Sequence, residues 1–189
     1  MIILASKSPR RKQLMEKYIS PSFDIIVPDI DESLSFKSYT DVRDIVKDIS
    51  LRKCLEIAKD HPNDLVIAAD TVVVLDNEII GKPKNKEDAY NILSKLSNKE
   101  HYVYTGYAIK KNDKLIQGLV RSEVQFNKLS DELINDYIAS GSPMDKAGAY
   151  GLQDNFTFHI VKSTTGSESN IIGFPVDEIK EDLKKHFNY

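Results

Sequence analysis

Leu65-Val66-Ile67-Ala68-Ala69-Asp70-Thr71-Val72-Val73-Val74-Leu75 is almost continuously apolar and β-branched, interrupted only by Asp70 and Thr71. That is the pattern of a strand buried on both faces. Upstream, Val42, Ile45, Val46, Ile49, Lys53 and Ile57 recur at helical spacing after Thr40 or Asp41, either of which can cap, and the helix must close before Pro62. Downstream, Asp76 and Asn77 mark a tight turn into a short strand over residues 78–80, and a second helix follows Asn85 with Ala89, Ile92, Leu93 and Leu96 on one face. Towards the N-terminus, residues 1–5 read as a strand, Ser8 and Pro9 as a helix start, and residues 23–27 as a strand stopped by Pro28 before an acidic loop with Asp29, Asp31 and Glu32. Towards the C-terminus, residues 101–109 and 115–126 form a long hairpin, and Ser130 caps a helix ending at Gly141. A glycine-bearing loop spans 148–151, residues 156–161 read as a strand, and Pro175 opens a terminal helix ending near His186. Alternating βα units with a hairpin imply an α/β fold on a mixed, twisted sheet.

The chain has 189 residues, 26 basic and 29 acidic, for a formal net charge of −3. The length suits one domain or two closely joined lobes with a proper core. No repeat or linker divides it. Cys54 is the single cysteine, so no internal disulfide or cysteine-based zinc site is available, and the four histidines lack metal-ligand spacing. No apolar stretch has the length of a transmembrane helix or the form of a signal peptide. Interspersed charges without a basic stripe argue against a nucleic-acid binder; any nucleotide ligand is expected to be small.

Ser6, Ser8, Arg10 and Arg11 stand where a strand hands over to a helix, so hydroxyls, backbone N–H groups and guanidinium groups can converge on an anion. Cations in a first helical turn oppose the macrodipole by about 0.3–1 kcal/mol each, so an anion there would compensate; a solvated arginine pair on an exposed turn is the alternative. Asp70 inside an apolar strand requires a cation or donors, unless it marks a solvent-facing turn. Paired with a carboxylate of the Asp29, Asp31 and Glu32 cluster, it suits Mg²⁺, a hard cation that prefers oxygen ligands and substrate phosphate. Lys53, in the middle of an apolar helical stripe, either snorkels or meets a buried anion. Lys82, between Gly81 and Pro83, and Gln153, just past the glycine loop, are uninformative singly. Together these positions fit metal-assisted chemistry on a polyphosphate.

Several segments in this order resemble the Maf-like nucleoside triphosphate pyrophosphatases: the opening Leu4-Ala5-Ser6-Lys7-Ser8-Pro9-Arg10-Arg11, Asp29-Ile30-Asp31-Glu32, Ala68-Ala69-Asp70-Thr71, Gly81-Lys82-Pro83, Thr105-Gly106, Asp145-Lys146-Ala147-Gly148-Ala149-Tyr150-Gly151-Leu152-Gln153, and Ser169-Asn170 before Gly173. The resemblance covers essentially the whole chain. It implies a single domain over residues 1–189, with an elongated twisted mixed sheet flanked by helices and two lobes around a central cleft, similar to inosine triphosphate pyrophosphatases. It implies hydrolysis of a nucleoside triphosphate to the monophosphate and pyrophosphate with a divalent cation, Mg²⁺ first and Mn²⁺ or Co²⁺ as alternatives.

Carried over position by position, Asp70 is the proton acceptor and Glu32 with Asp70 lies near the metal. Ser6, Ser8, Arg11, Lys53 and Lys82 hold the phosphates. Arg10, Thr71 and Gln153 look like the branch that cleaves dTTP and UTP rather than the branch preferring 7-methyl-GTP. A glutamine amide can offer a donor and an acceptor to a pyrimidine edge. Cys54 and Phe174 depart from the family's usual alanine and leucine, changes that concern packing. The resemblance also implies a homodimer, for which the hairpin and terminal helix are interface candidates on general grounds, and the single cysteine fits a reducing compartment, the cytoplasm. A nucleotide-binding regulator of septum formation without turnover is the rival reading.

Overall fold

The structure, a computed structural model, describes residues 1–189. The chain forms β1 (Ile2–Leu4), α1 (Pro9–Tyr18), β2 (Asp24–Ile25), α2 (Ser33–Ser38), α3 (Val42–Ala58), β3 (Leu65–Leu75), β4 (Glu78–Ile80) and α4 (Lys86–Leu96). It continues with β5 (Glu100–Lys111), β6 (Lys114–Phe126), α5 (Asp131–Ala139), α6 (Asn155–Phe158), β7 (Val161–Thr165), α7 (Glu168–Ile172) and α8 (Val176–Phe187). The strands make one mixed sheet in the order β2-β1-β3-β5-β6-β7, with β4 paired to β3. β1 runs parallel to β2 and β3; β3 and β4, and β6 and β7, are antiparallel. No helix is long and apolar enough to cross a membrane.

Local chemistry sets the boundaries. Side chains of Ser8, Asp41, Asn85 and Ser130 each accept from a backbone N–H in the first turn of the helix that follows, satisfying donors the helix itself cannot pair. Asp76 and Asn77 both take positive φ, +50° and +65°, as a two-residue hairpin loop requires.

The chain divides into two compact units, one of residues 1–71, 105–120 and 173–189, the other of residues 72–104 and 121–172. In the first, the period-2 alternation of strands sorts side chains between two layers. Leu65, Ile67 and Ala69, with Ile2 and Leu4, pack against Met15 of α1 and Val176, Ile179 and Leu183 of α8. Val66 and Ala68, with Ile3 and Ala5, pack against Cys54, Ile57 and Ala58 of α3. Buried Cys54 donates to the Val66 carbonyl at 3.5 Å, and burial pushes its thiol up to about 12. It is a packing residue.

The second unit is built on Val73, Leu75 and Ile80 with Leu93 and Leu96 of α4, Val124 and Phe126 of β6, and Tyr137 of α5. His101 lies inside it, edge-on to Phe126 and Tyr150 with ring centroids 5.0 and 5.3 Å apart, and 2.7 Å from the Tyr150 hydroxyl. Burial pushes its imidazole down to about 4, so it is neutral near pH 7.

Residues 156–161 are not a strand. α6 ends at His159 in the left-handed region (φ +51°), and the strand begins only at Val161. The apolar alternation is satisfied another way. Asn155 accepts from the Val161 N–H at 2.6 Å and donates to the Val161 carbonyl at 3.1 Å, while Phe158 turns onto Tyr137 with centroids 4.7 Å apart. β2 is shorter than the apolar run at 23–27, and α2 and α7 are short helices without an apolar period to announce them.

Candidate active site

Strand parity decides what Asp70 and Thr71 meet. Asp70 continues the Val66 and Ala68 face and points to α3; Thr71 continues the Leu65, Ile67 and Ala69 face and points to α1. On α3, Lys53 neighbours Cys54 and precedes Ile57 by one turn, so its ammonium reaches the same face. Lys53 Nζ lies 2.9 Å from Asp70 Oδ1 and 2.7 Å from Glu32 Oε1. The Lys53 and Asp70 side chains are only 13% and 12% exposed, whereas Glu32 is 48% exposed. Lys53 therefore meets an anion rather than snorkelling, and Asp70 is not at a turn.

Glu32 reaches this point because α2 starts directly after it. The helix takes no side-chain cap from Glu32, whose carboxylate faces Lys53 instead, and Asp31 accepts from the Ser33 N–H at 3.0 Å. α2 is held to α3 by Ser35, which donates to Asp48 at 2.6 Å and accepts from Arg52 at 3.0 Å. The register of α3 against the sheet is fixed at Gly106, where a Cβ would stand 2.5 Å from the Val46 carbonyl oxygen and 2.9 Å from the Lys47 nitrogen. Those are backbone atoms, so only glycine permits the approach.

On the other face, Arg11 Nε donates to the Gly173 carbonyl at 2.8 Å and NH2 to Thr71 Oγ1 at 3.1 Å; NH1 is 3.4 Å from Ser6 Oγ. Thr71 Oγ1 is also 2.9 Å from Thr105 Oγ1. Ser6 Oγ accepts from the Ser8 N–H at 3.2 Å, and Ser8 Oγ caps α1 through the Arg11 N–H at 3.4 Å. Burial lowers the Arg11 guanidinium's pKa, Asp70 raises it, Arg10 lowers it and Glu32 raises it. Arg11 and Thr71, both expected to contact substrate, are bonded to each other. Part of the guanidinium's five-donor fork is committed to holding the strand ends together. Thr105 and Gly173, to which sequence reasoning gave no role, complete this network; their signal was only their place in the recurring motifs.

Arg10 is half-buried in the first turn of α1. Lys82 and Gln153 belong to the second unit, and both are exposed. Their loops meet through the Gly148 N–H, which donates to the Gly81 carbonyl at 3.1 Å. Gly148 takes φ +73°, and Gln153 lies in the helical turn Leu152–Asp154.

The donor set fits a hard divalent cation. Asp70 and Glu32 converge on one cationic point, the Lys53 ammonium, which shows that both carboxylates can face the same charge. No third histidine, cysteine or carboxylate joins them. A two-carboxylate site matches an ion that keeps water and phosphate in its remaining positions.

A family model, Maf-like protein, matches residues 1–186. The chain belongs to the Maf-like family. This Maf-like chain is 42% identical over 190 residues to a dTTP/UTP pyrophosphatase of Dictyoglomus turgidum, covering 100% of this chain and 96% of that protein. It is 40% identical over 184 residues to a dTTP/UTP pyrophosphatase of Bacillus mycoides, covering 97% and 94%. Among solved structures, the Staphylococcus aureus Ham1 protein superposes with a TM-score of 0.52 at 14% identity over 97% of this chain and 98% of that one, a likeness of fold.

Proposed function

We propose that this Maf-like chain is a hydrolase that converts dTTP and UTP to the nucleoside monophosphate and pyrophosphate, acting in the cytoplasm as a homodimer of single-domain chains. The observation that carries the reading is the Asp70–Lys53–Glu32 constellation, two carboxylates each within 2.9 Å of one ammonium, in a chain whose relatives bear that name over nearly their full length.

Asp70, fixed by Lys53 on a buried central strand, orients a water towards the α-phosphorus and accepts its proton. The water oxygen bonds to the α-phosphorus as the bond to the bridging oxygen of the β-phosphate breaks, and pyrophosphate leaves. Ser6, Ser8, Arg10, Arg11, Lys53 and Lys82 supply the donors and positive charge that a phosphoryl-transfer transition state needs. Thr71 acts through Arg11, and Gln153 reads the pyrimidine edge. Asp70 and Glu32 would hold Mg²⁺, or Mn²⁺ or Co²⁺, which when bound adds electrostatic stabilisation of charge on the phosphoryl oxygens.

Chromatography of products after separate incubations with Mg²⁺ and dTTP, UTP, CTP, GTP or 7-methyl-GTP tests the reading. We expect monophosphate and pyrophosphate from dTTP and UTP. Cleavage confined to 7-methyl-GTP would overturn the roles of Arg10, Thr71 and Gln153, and tight binding without cleavage would make the chain a nucleotide sensor.

A further inference from the structure

Lys53 has two anionic partners, Asp70 at 2.9 Å and Glu32 at 2.7 Å, and they are held unequally. Asp70 stands on the buried strand β3 with its side chain 12% exposed, whereas Glu32 is 48% exposed and gives α2 no side-chain cap. α2 itself is anchored to α3 through Ser35, which bonds Asp48 and Arg52. The Glu32 side chain can therefore swing on a fixed backbone, and Asp70 has no such freedom.

The same cluster is balanced in charge. Arg11 is electrostatically coupled to both carboxylates, each of which raises its pKa against the effect of burial. Two acids thus face two cations. A divalent cation entering that set alone would draw Glu32 away from Lys53, leaving an ammonium only 13% exposed with a single carboxylate that the metal also claims. A buried charge stripped of a partner resists such a change. A phosphate arriving with the metal removes the obstacle, because its oxygens accept from the ammonium in place of Glu32.

We propose that Lys53 is a positioning residue that withholds Glu32 from the divalent cation until a substrate phosphate takes Glu32's place at its ammonium, so that metal and phosphate bind together. This deepens the function proposed above and rests on it. Ammonium and metal compete for one carboxylate, while the pair of Lys53 with Asp70 stays intact and keeps the base oriented.

The test measures Mn²⁺ affinity without nucleotide, from the electron paramagnetic resonance signal of free Mn²⁺, in wild type, Lys53→Met and Lys53→Arg. Lys53→Met binds Mn²⁺ about 5- to 150-fold more tightly than wild type, the usual range for coupling between two ligands, and Lys53→Arg, which keeps the charge, binds as weakly as wild type. Equal or weaker binding by Lys53→Met overturns the proposal, since Lys53 would then support the metal site rather than compete with it. A second measurement needs only wild type: acetylation of Lys53 by acetic anhydride, read by mass spectrometry. It is slow in the protein alone, faster with Mn²⁺, and slow again with Mn²⁺ and inorganic tripolyphosphate; a rate that Mn²⁺ leaves unchanged, or that tripolyphosphate does not reverse, also overturns the proposal. Failure of wild type and Lys53→Met alike to bind Mn²⁺, with or without tripolyphosphate, instead overturns the two-carboxylate metal site of the proposed function, and this inference with it.

Discussion

Asp70→Asn lowers dTTP turnover by on the order of 10²–10⁴-fold, the usual effect of removing a positioned general base, while nucleotide binding stays largely intact. The substitution keeps the shape of the side chain and leaves an oxygen to accept from Lys53, so its effect on rate is separable from any effect on folding. Asp70 rather than Glu32 is the residue expected to show this. It sits on a buried strand between two packed layers, with its Oδ1 held 2.9 Å from Lys53 Nζ, whereas Glu32 precedes a six-residue helix and is half in water. Precise proton transfer favours a group on a rigid element. Steady-state kinetics of the variant check the claim, and wild-type turnover would remove Asp70 from its role.

The second large effect concerns stability. Lys53→Met leaves two carboxylates facing each other without their shared cation, and breaking a buried ion pair by removing one partner costs about 3–5 kcal/mol. The loss falls towards the lower end, since Glu32 remains hydrated. Urea denaturation of Lys53→Met, Asp70→Asn and the double variant measures it. The double variant loses less than the sum of the singles, because the second substitution removes the charge the first left unpaired. Additive losses would mean that the two groups do not interact in solution.

The strand Leu65–Leu75 and the helix Val42–Ala58 were legible because burial on both faces and a 3.6-residue period each leave a strong mark on sequence. From those two elements follows an acid on a buried strand and a lysine on a buried stripe. Their meeting depended on strand parity and on the approach at Gly106, neither of which composition reveals. Arg11 illustrates the limit. Its residue type and place at a helix start point to an anion or to a solvated, exposed turn, whereas its hydrogen bonds to Gly173 and Thr71 join segments far apart in the chain that no local pattern connects. The mistaken strand at residues 156–161 has a similar cause, since the alternation of Phe156, Phe158 and Ile160 is overridden by Asn155 bonding both polar groups of Val161.

In the proposed reaction water attacks the α-phosphorus and pyrophosphate departs intact. Hydrolysis of dTTP in oxygen-18 water, with mass analysis of both products, tests this most directly. Heavy oxygen is expected in dTMP and not in pyrophosphate; heavy oxygen in the pyrophosphate, or release of inorganic phosphate with dTDP, would rule this reaction out.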